Sequence, residues 1–282
     1  MDDKVIHIQL AELHPFPGHP FQLRDDDAMR DTVDSIKEYG VLVPAIVRPR
    51  EEGGYEIVSG HRRKYASELA GLETMPVIVR NLDRDAATIV MVDSNLQREN
   101  ILPSERAAAY KMKLEAIKRQ GARNDLTSAQ VVPKLTAREK VAEDAGVNRM
   151  EVSRYVRLTE LEPELQQMVD EKKIGITPAV EISYLKPEEQ KLLLDTIESE
   201  QATPSLSQAQ RMKKLSQSGE LNDDTMLGIM MEQKKPEKMD ITIPAEVLQK
   251  YFPRSYTPQK MQETIIKLLE GWQKKRQQQM QR

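Results

Sequence analysis

The sequence predicts an α+β protein that is mostly helical, with a small mixed α/β domain at its N-terminal end. Three observations lead to this prediction. Short apolar stretches that alternate with polar residues are confined to the first hundred residues. Between Pro103 and Ile241 no convincing strand is found, and apolar residues recur at helical spacing. Aromatic residues make up only 4% of the chain, which argues against a large β-sandwich.

The predicted N-terminal domain alternates strands with helices. In chain order, the pattern predicts a strand at 6–10, a helix around 29–36, a hairpin of strands 45–47 and 55–58, a helix at 62–70, a strand at 77–79 and a helix at 84–95. Gly40 stands where a glycine commonly ends a helix, and Gly53-Gly54 supplies the hairpin turn.

The rest of the chain is predicted to be helical up to its last segment. Pro103 is well placed to begin a strong helix that ends near Gly121. Residues 122–135 have the composition of a loop, and helices resume to about Leu194. Residues 201–238 are polar and are interpreted as loosely packed helices in a linker. The predicted domains are therefore 1–102, an all-helical 103–200, the linker 201–238 and a small C-terminal unit, 239–282.

Composition excludes several classes of protein. The chain contains no cysteine, which excludes disulfides and thiolate metal sites. No apolar run is long enough to span a membrane, and the N-terminus does not resemble a signal peptide. We therefore expect a cytoplasmic protein. The net charge is −3, so binding to DNA would require a local basic surface.

The strongest motif is a predicted helix-turn-helix. Thr136 and Glu139 have the spacing of a capping box, Gly146 suits a tight turn, and Asn148 is a good N-cap for a second helix. The second helix of such a motif enters the major groove with its early residues. An ordinary helical hairpin with a solvated basic face is the alternative. The predicted DNA-binding residues are Asn148, Arg149, Ser153, Arg154 and Arg157.

Two N-terminal segments also have patterns that are typical of a ligand-binding site. The segment Gly60-His61-Arg62-Arg63 follows a strand and begins a helix, an arrangement that suits a phosphate group. Paired arginines on a helix are more often surface ion pairs. The second segment, Ser94 to Asn100, is a polar run before Pro103 that could equally be a capped interdomain loop.

Taken together, these segments resemble the ParB family of partition proteins. The segment His19-Pro20-Phe21-Gln22-Leu23-Arg24 is similar to the family's N-P-x-Q-P-R, and Gly60 to Arg63 to its G-E-R-R. Ser94 to Glu99 is similar to E-N-I-Q-R-E, and the helix-turn-helix follows in the expected order. The resemblance covers roughly residues 5–195.

The resemblance implies a ParB/sulfiredoxin-like N-domain that binds CTP with Mg²⁺ and closes two subunits into a clamp on DNA. Double-stranded DNA carrying a centromere-like or operator site, a second copy of the chain and a ParA-type ATPase are the implied partners, and nucleoid association is the implied location. By position in the motifs, the implied nucleotide-binding residues are Gln22, Arg24, Gly60, His61, Arg62, Arg63, Asn95 and Arg98.

Three departures from the family pattern modify these expectations. Ser94 replaces the family's acidic residue, although Asp93 precedes it, so CTP hydrolysis is expected to be slow or absent. His61 replaces the glutamate of G-E-R-R. The sequence begins almost directly on its first strand, without the basic peptide that engages the ATPase in chromosomal members. This leaves the ATPase partnership open and favours a plasmid or mobile-element protein.

Two other functions remain open at this point. One is a helix-turn-helix repressor of a mobile element whose N-domain no longer binds a nucleotide, which Ser94 favours. The other is a small-molecule kinase or nuclease of ParB-like fold, which the helix-turn-helix disfavours. The sequence lacks a P-loop motif, and its four histidines lack metal-ligand spacing.

The C-terminal unit is predicted to form a dimer. Residues 239–243 alternate as a short strand, and a later helix carries an apolar stripe. The residues of the stripe are Met261, Ile265, Leu268 and Trp272. A unit of this size buries little surface alone, which favours a second copy over packing of the stripe on the linker.

Overall fold

Five short strands in the first eighty residues form one mixed sheet. They are β1 (Val5–Gln9), β2 (Leu13–His14), β3 (Ala45–Pro49), β4 (Tyr55–Ser59) and β5 (Thr74–Val79). The order is β1-β5-β3-β4-β2, with antiparallel pairs β1/β5 and β3/β4 and parallel pairs β5/β3 and β4/β2. This computed structural model describes residues 4–98, 101–125, 135–232, 245–248, 250–253 and 255–280. The sequence missed only β2, because two residues are too few for a periodic signal.

Three helices complete the N-terminal domain, namely α1 (Asp27–Tyr39), α2 (His61–Leu69) and α3 (Arg84–Leu96). The first two pack together through Met29, Val33 and Ala66. Helix α3 packs against β4, where Val58 and Met91 share one buried cluster. These packings bring the start of α2 and the end of α3 to the segment before α1.

Eight helices follow in the described residues up to Glu232, and they confirm the prediction of a mostly helical α+β fold. They are α4 (Pro103–Asp125), α5 (Ala137–Ala145), α6 (Arg149–Leu158), α7 (Pro163–Asp170), α8 (Ile176–Ile182), α9 (Pro187–Glu200), α10 (Leu206–Ser218) and α11 (Asp223–Met231). Helix α4 continues past its predicted end near Gly121 to Asp125. A glycine inside a helix costs only about 0.5–1 kcal/mol relative to alanine, so it does not force the helix to stop.

The prediction that residues 201–238 form a linker is wrong for most of the segment. Ala209 and Met212 of α10 and Met226 and Ile229 of α11 are buried in the same hydrophobic cluster as α7, α8 and α9. The segment has a polar composition because only one face of each helix is buried. Residues up to Glu232 accordingly form one compact unit.

Residues 233–282 belong to a second unit. Its described elements are α12 (Ala245–Leu248) and α13 (Pro258–Met280). The predicted strand 239–243 lies outside the described residues. No helix in the described part of the chain is long and apolar enough to cross a membrane.

Candidate nucleotide cleft and DNA-binding surface

A cleft of about 360 Å³ lies where four distant segments of the N-terminal unit meet. The cleft combines three guanidinium groups with two carboxylates. Its lining residues are Gln22, Arg24, Asp26, Ala28, Arg62, Arg98 and Glu105. Four of the eight predicted nucleotide-binding residues therefore share one cavity, although they come from three separate motifs.

Glu105 is the lining residue that joins the N-terminal domain to α4. Its buried carboxylate accepts hydrogen bonds from the backbone N–H groups of Gln22, at 2.9 Å, and Leu102, at 3.1 Å. The guanidinium of Arg24 lies 3.8 Å from the same carboxylate. Sequence reasoning missed Glu105, although a glutamate three residues after a helix N-cap is a known capping signal.

Within the cleft, the carboxylate of Asp26 pairs with the guanidinium of Arg62. One carboxylate oxygen of Asp26 lies 3.5 Å from Arg62 and also accepts the N–H of Met29, at 2.9 Å, which caps α1. The bond from Met29, followed by the charge of Arg62, lowers the pKa of the Asp26 carboxyl. An anion that binds Arg62 competes with this carboxylate for the guanidinium.

Arg63 is placed differently from its neighbour. Its guanidinium donates to the backbone carbonyls of Val43 and Pro44, the latter at 2.7 Å, and burial lowers its pKa. Gly60 has φ 113°, and a Cβ there would lie 2.8 Å from Ala45 and 3.2 Å from Arg63. In this structure the Arg63 guanidinium holds the chain before β3 and does not line the cleft, and its role in holding a triphosphate stays a prediction.

His61 also serves the protein interior. It accepts the N–H of Phe16 at 3.3 Å, and its ring lies 3.9 Å from that of His19. Burial, followed by the proximity of His19, lowers the pKa of His61 to about 3. His61 is therefore neutral and supports the segment that leads to Gln22. It does not line the cleft, and its place beside the nucleotide stays a prediction.

The last turn of α3 does not present an acid to the cleft. Ser94 and Asn95 both donate to the carbonyl of Met91, at 2.9 and 2.8 Å. Asp93 pairs with Lys113, whose side chain is completely buried and which also lies 2.7 Å from Asp144 of α5. Of the segment's predicted ligands, Arg98 lines the cleft and Asn95 does not.

The helix-turn-helix is formed by α5 and α6. Thr136 and Glu139 make the predicted capping box, Gly146 has φ 65°, and Asn148 accepts the N–H of Met150 at 2.9 Å. The motif packs on α4 through a buried cluster that includes Val141 and Val152. The local geometry agrees with the sequence at each of these points.

The exposed side of α6 is basic. Arg149 and Arg154 are exposed and Ser153 is half-buried. Arg149 makes one long contact, 3.5 Å, with Glu139, whose pKa is lowered first by its bonds to Thr136. A groove beside Arg149 is also lined by two cations that the sequence reasoning missed, Lys118 and Arg138.

Arg157 differs from the other predicted DNA-binding residues. Its Nε donates to the hydroxyl of Ser183 at 3.1 Å, and its guanidinium lies 4.1 Å from the ring of Tyr184. The prediction that Arg157 projects outward is therefore corrected, because this side chain ties the end of α6 to α8.

Two family profiles match this arrangement. The ParB N-terminal domain matches residues 1–96, and the ParB helix-turn-helix domain matches residues 126–219. The chain belongs to the ParB family. The second match extends past residue 200, which agrees with the packing of α10 in the helical domain.

The relatives in the family include proteins named as chromosome-partitioning proteins. The chain is 35% identical over 170 residues to the stage 0 sporulation protein J of Bacillus subtilis, covering 60% of this chain and 54% of the relative. It is 34% identical over 186 residues to the chromosome-partitioning protein Spo0J of Thermus thermophilus, covering 66% and 62%. The chain thus spans just over half to three fifths of these relatives, and a plasmid or mobile-element origin stays a prediction.

Two solved ParB structures from Caulobacter crescentus are also similar. One is complexed to the centromeric parS site, with a TM-score of 0.45 and 24% identity, covering 74% of this chain and 98% of that chain. The other is complexed with CTP-γ-S, with a TM-score of 0.32 and 28% identity, covering 67% and 96%.

Proposed function

We propose that this chain is a sequence-specific DNA-binding partition protein that acts as a CTP-regulated clamp on DNA in chromosome or plasmid segregation. The observation that carries the proposal is the presence, in one compact unit, of a capped helix-turn-helix with an exposed basic helix and a cleft lined by three arginines. Membership of the ParB family supports the same combination.

The DNA-binding half rests on α6. Arg149 and Arg154 are exposed there, and Asn148 lies at the helix start that would face the base edges. Lys118 and Arg138 lie beside this helix and suit the phosphate backbone. Arg157 is proposed to fix the orientation of α6.

The nucleotide-binding half rests on the cleft. Guanidinium groups form strong charge-assisted bonds with phosphates, and Arg24, Arg62 and Arg98 come from the three family motifs. Gln22 lines the same cleft and offers an amide to the nucleotide. We propose that the triphosphate of CTP lies among these arginines.

The implied magnesium ion does not fit the described residues. Ser94 has no carboxylate to offer, and Asp93 is paired with a buried ammonium. No group of three potential ligands among His, Cys, Asp and Glu is found in the parts of the chain that the structure describes. Slow or absent hydrolysis of CTP stays a prediction.

The clamp requires two subunits, and α13 is the proposed dimer contact. Ile266, Leu268 and Leu269 on this helix expose between 47% and 66% of their surface. Apolar residues clustered in this way mark interaction sites. Leu268→Asp should convert a dimer to a monomer in sedimentation, and a stable dimer of a chain cut at Lys238 would contradict this contact. The ParA-type ATPase stays a predicted partner.

The experiment that tests the function measures both ligands on the full chain. A duplex is first selected by the protein from a random-sequence library, and CTP binding is then titrated calorimetrically with and without it, using ATP and GTP as controls. We expect CTP to bind, and its affinity to change when the selected duplex is present. Failure to enrich any sequence would contradict the DNA-binding half.

A repressor that does not bind a nucleotide is the second candidate. It is favoured by the engagement of Arg62 with Asp26 and of Arg63 with two carbonyls. Sequence-specific DNA binding without heat from any of the three nucleotides would support the repressor and exclude the clamp.

A further inference from the structure

We propose that the nucleotide of this protein binds without a divalent cation, and that arginines replace the metal as counter-charges to its phosphates. The proposal rests on the proposed function and concerns the same cleft. It follows from the contacts that the described carboxylates near the cleft already make, and from the three guanidinium groups that line it.

Of the described residues at the third family motif, Ser94 and the preceding Asp93 offer no unengaged carboxylate to a metal. Position 94 is a serine whose hydroxyl donates to the carbonyl of Met91. The neighbouring Asp93 accepts from Lys113, an ammonium with no solvent exposure that depends on Asp93 and Asp144 for compensation. Withdrawing Asp93 toward a metal would leave the buried ammonium with a single carboxylate, which is unfavourable.

The two carboxylates that line the cleft are engaged in helix starts. Glu105 uses both oxygens to accept backbone N–H groups, from Gln22 and from Leu102. Asp26 caps α1 and contacts Arg62. Mg²⁺ requires near-ideal octahedral geometry and binds through one or two carboxylates. The contacts of both carboxylates at helix starts therefore compete with metal coordination.

The charge around the cleft favours an anion over a cation. Three guanidinium groups and two carboxylates leave the cleft with a net positive charge, which attracts a triphosphate and offers no attraction to a free cation. The side chains of Arg24 and Arg62 are 44% and 25% exposed, so both can reach a ligand. Arginine presents a fixed fork of donors that matches phosphate oxygens.

The decisive measurement is the affinity for CTP in excess Mg²⁺ and in excess EDTA, by calorimetry on the full chain. We expect the two dissociation constants to agree within about threefold, which is less than 1 kcal/mol. Binding that is seen only with Mg²⁺ overturns this inference and leaves the proposed function intact. Absence of binding under both conditions overturns the inference together with the nucleotide half of the proposed function.

Restoring the acid of the family motif provides a second test. Ser94 is exposed, so Ser94→Glu should fold normally, and Ser94→Gln is a control of equal size without the charge. We expect Mg²⁺ to strengthen CTP binding by about tenfold or more in Ser94→Glu only. If CTP binding by Ser94→Glu is as insensitive to Mg²⁺ as binding by the control, the serine at position 94 does not explain Mg²⁺-independent binding. The inference that arginines replace the metal for this reason is then overturned.

Removing an arginine tests the other half of the inference. Arg98→Gln should weaken CTP binding by at least about tenfold in Mg²⁺ and in EDTA alike. Arg50, which pairs with Glu52 at the hairpin and does not line the cleft, gives the matched control Arg50→Gln, with unchanged affinity expected. An Arg98→Gln variant that binds CTP as well as the control does would overturn the arginine assignment.

Discussion

The helix-turn-helix and the nucleotide cleft differ in what happens to their arginines. In the helix-turn-helix, Arg149 and Arg154 are exposed on a scaffold that is held by local caps and by packing on α4. In the cleft, Arg62 contacts Asp26, and the adjacent Arg63 is consumed by two backbone carbonyls. A charged residue in a motif is therefore available to a ligand only when the tertiary structure has not already given it a partner.

The same distinction separates residues within α6. Arg154 is exposed, while Arg157, one turn later, bonds to Ser183 and stacks on Tyr184. Neighbouring residues of the same type thus form natural pairs of variants, in which one change should affect stability and the other a ligand.

The largest effect is expected at Arg63. Arg63→Ala leaves the carbonyls of Val43 and Pro44 without their charged donor and should lower the free energy of unfolding by about 2–4 kcal/mol. Arg62→Ala should change the free energy of unfolding by less than about 1 kcal/mol, because the Arg62–Asp26 pair is long and partly exposed. The same substitution should weaken CTP binding. Urea unfolding and CTP calorimetry on both variants check this. The contrast fails if Arg63→Ala retains full stability and Arg62→Ala retains full affinity.

The second pair is Asp93 and Ser94. Asp93→Ala removes one of the two carboxylates around the buried Lys113 and should cost about 2–3 kcal/mol, less than a fully orphaned charge because Asp144 remains. Ser94→Ala should cost less than about 0.5 kcal/mol, since it removes one bond at an exposed site. Urea denaturation curves of both variants provide the test, and equal midpoints would show that Lys113 does not need Asp93.

Whether the role of a residue could be predicted from the sequence depends on how far along the chain its partner lies. Thr136, Gly146 and Asn148 act on backbone groups within three residues, so their roles were visible in the sequence. The bonds from Gln22 to Glu105 and from Arg63 to Val43 join residues 83 and 20 positions apart along the chain, and no local pattern records these two bonds. The buried faces of α10 and α11 were obscured by their polar outer faces, which made a packed part of the core resemble a linker.

Arg154 and Arg157 extend the comparison to DNA. Arg154→Ala should weaken binding to the selected duplex by about 1–3 kcal/mol and binding to random DNA far less, with no change in thermal stability. Arg157→Ala should lower the thermal midpoint, because it removes the contacts that join α6 to α8. Fluorescence anisotropy with both duplexes and thermal unfolding would distinguish them. Equal losses on both duplexes would reassign Arg154 to the phosphate backbone.

The lowered pKa of His61 gives a prediction for the pH dependence of stability. The pKa of His61 is about 3 in the folded chain, against an ordinary value of 6.5, so the unfolded chain binds the additional proton. Stability that is fully present above pH 6.5 should fall by about 1.4 kcal/mol per unit as the pH drops from 6.5 toward 3. His61→Gln should reduce this slope, to which the lowered pKa of His19 also contributes, whereas His7→Gln, at an exposed position of β1, should keep it in full. Unfolding free energies at pH 5 and 7 measure the difference. Identical slopes in all three proteins would show that His61 does not become protonated on unfolding.

The smallest expected effect tests whether the ion pair between Asp26 and Arg62 lowers the affinity for CTP. Asn is as good an N-cap as Asp, so Asp26→Asn should preserve the start of α1 while it removes the charge that holds Arg62. The Arg62 guanidinium would then be free of a carboxylate before the nucleotide arrives, and CTP affinity should rise by about three- to tenfold. Asp31→Asn, on the same helix but outside the cleft, should leave the affinity unchanged. Calorimetry with CTP at two salt concentrations provides the measurement, because an electrostatic gain should shrink as salt increases. An affinity that falls in Asp26→Asn would mean that Asp26 contributes to nucleotide binding and does not compete with the phosphates.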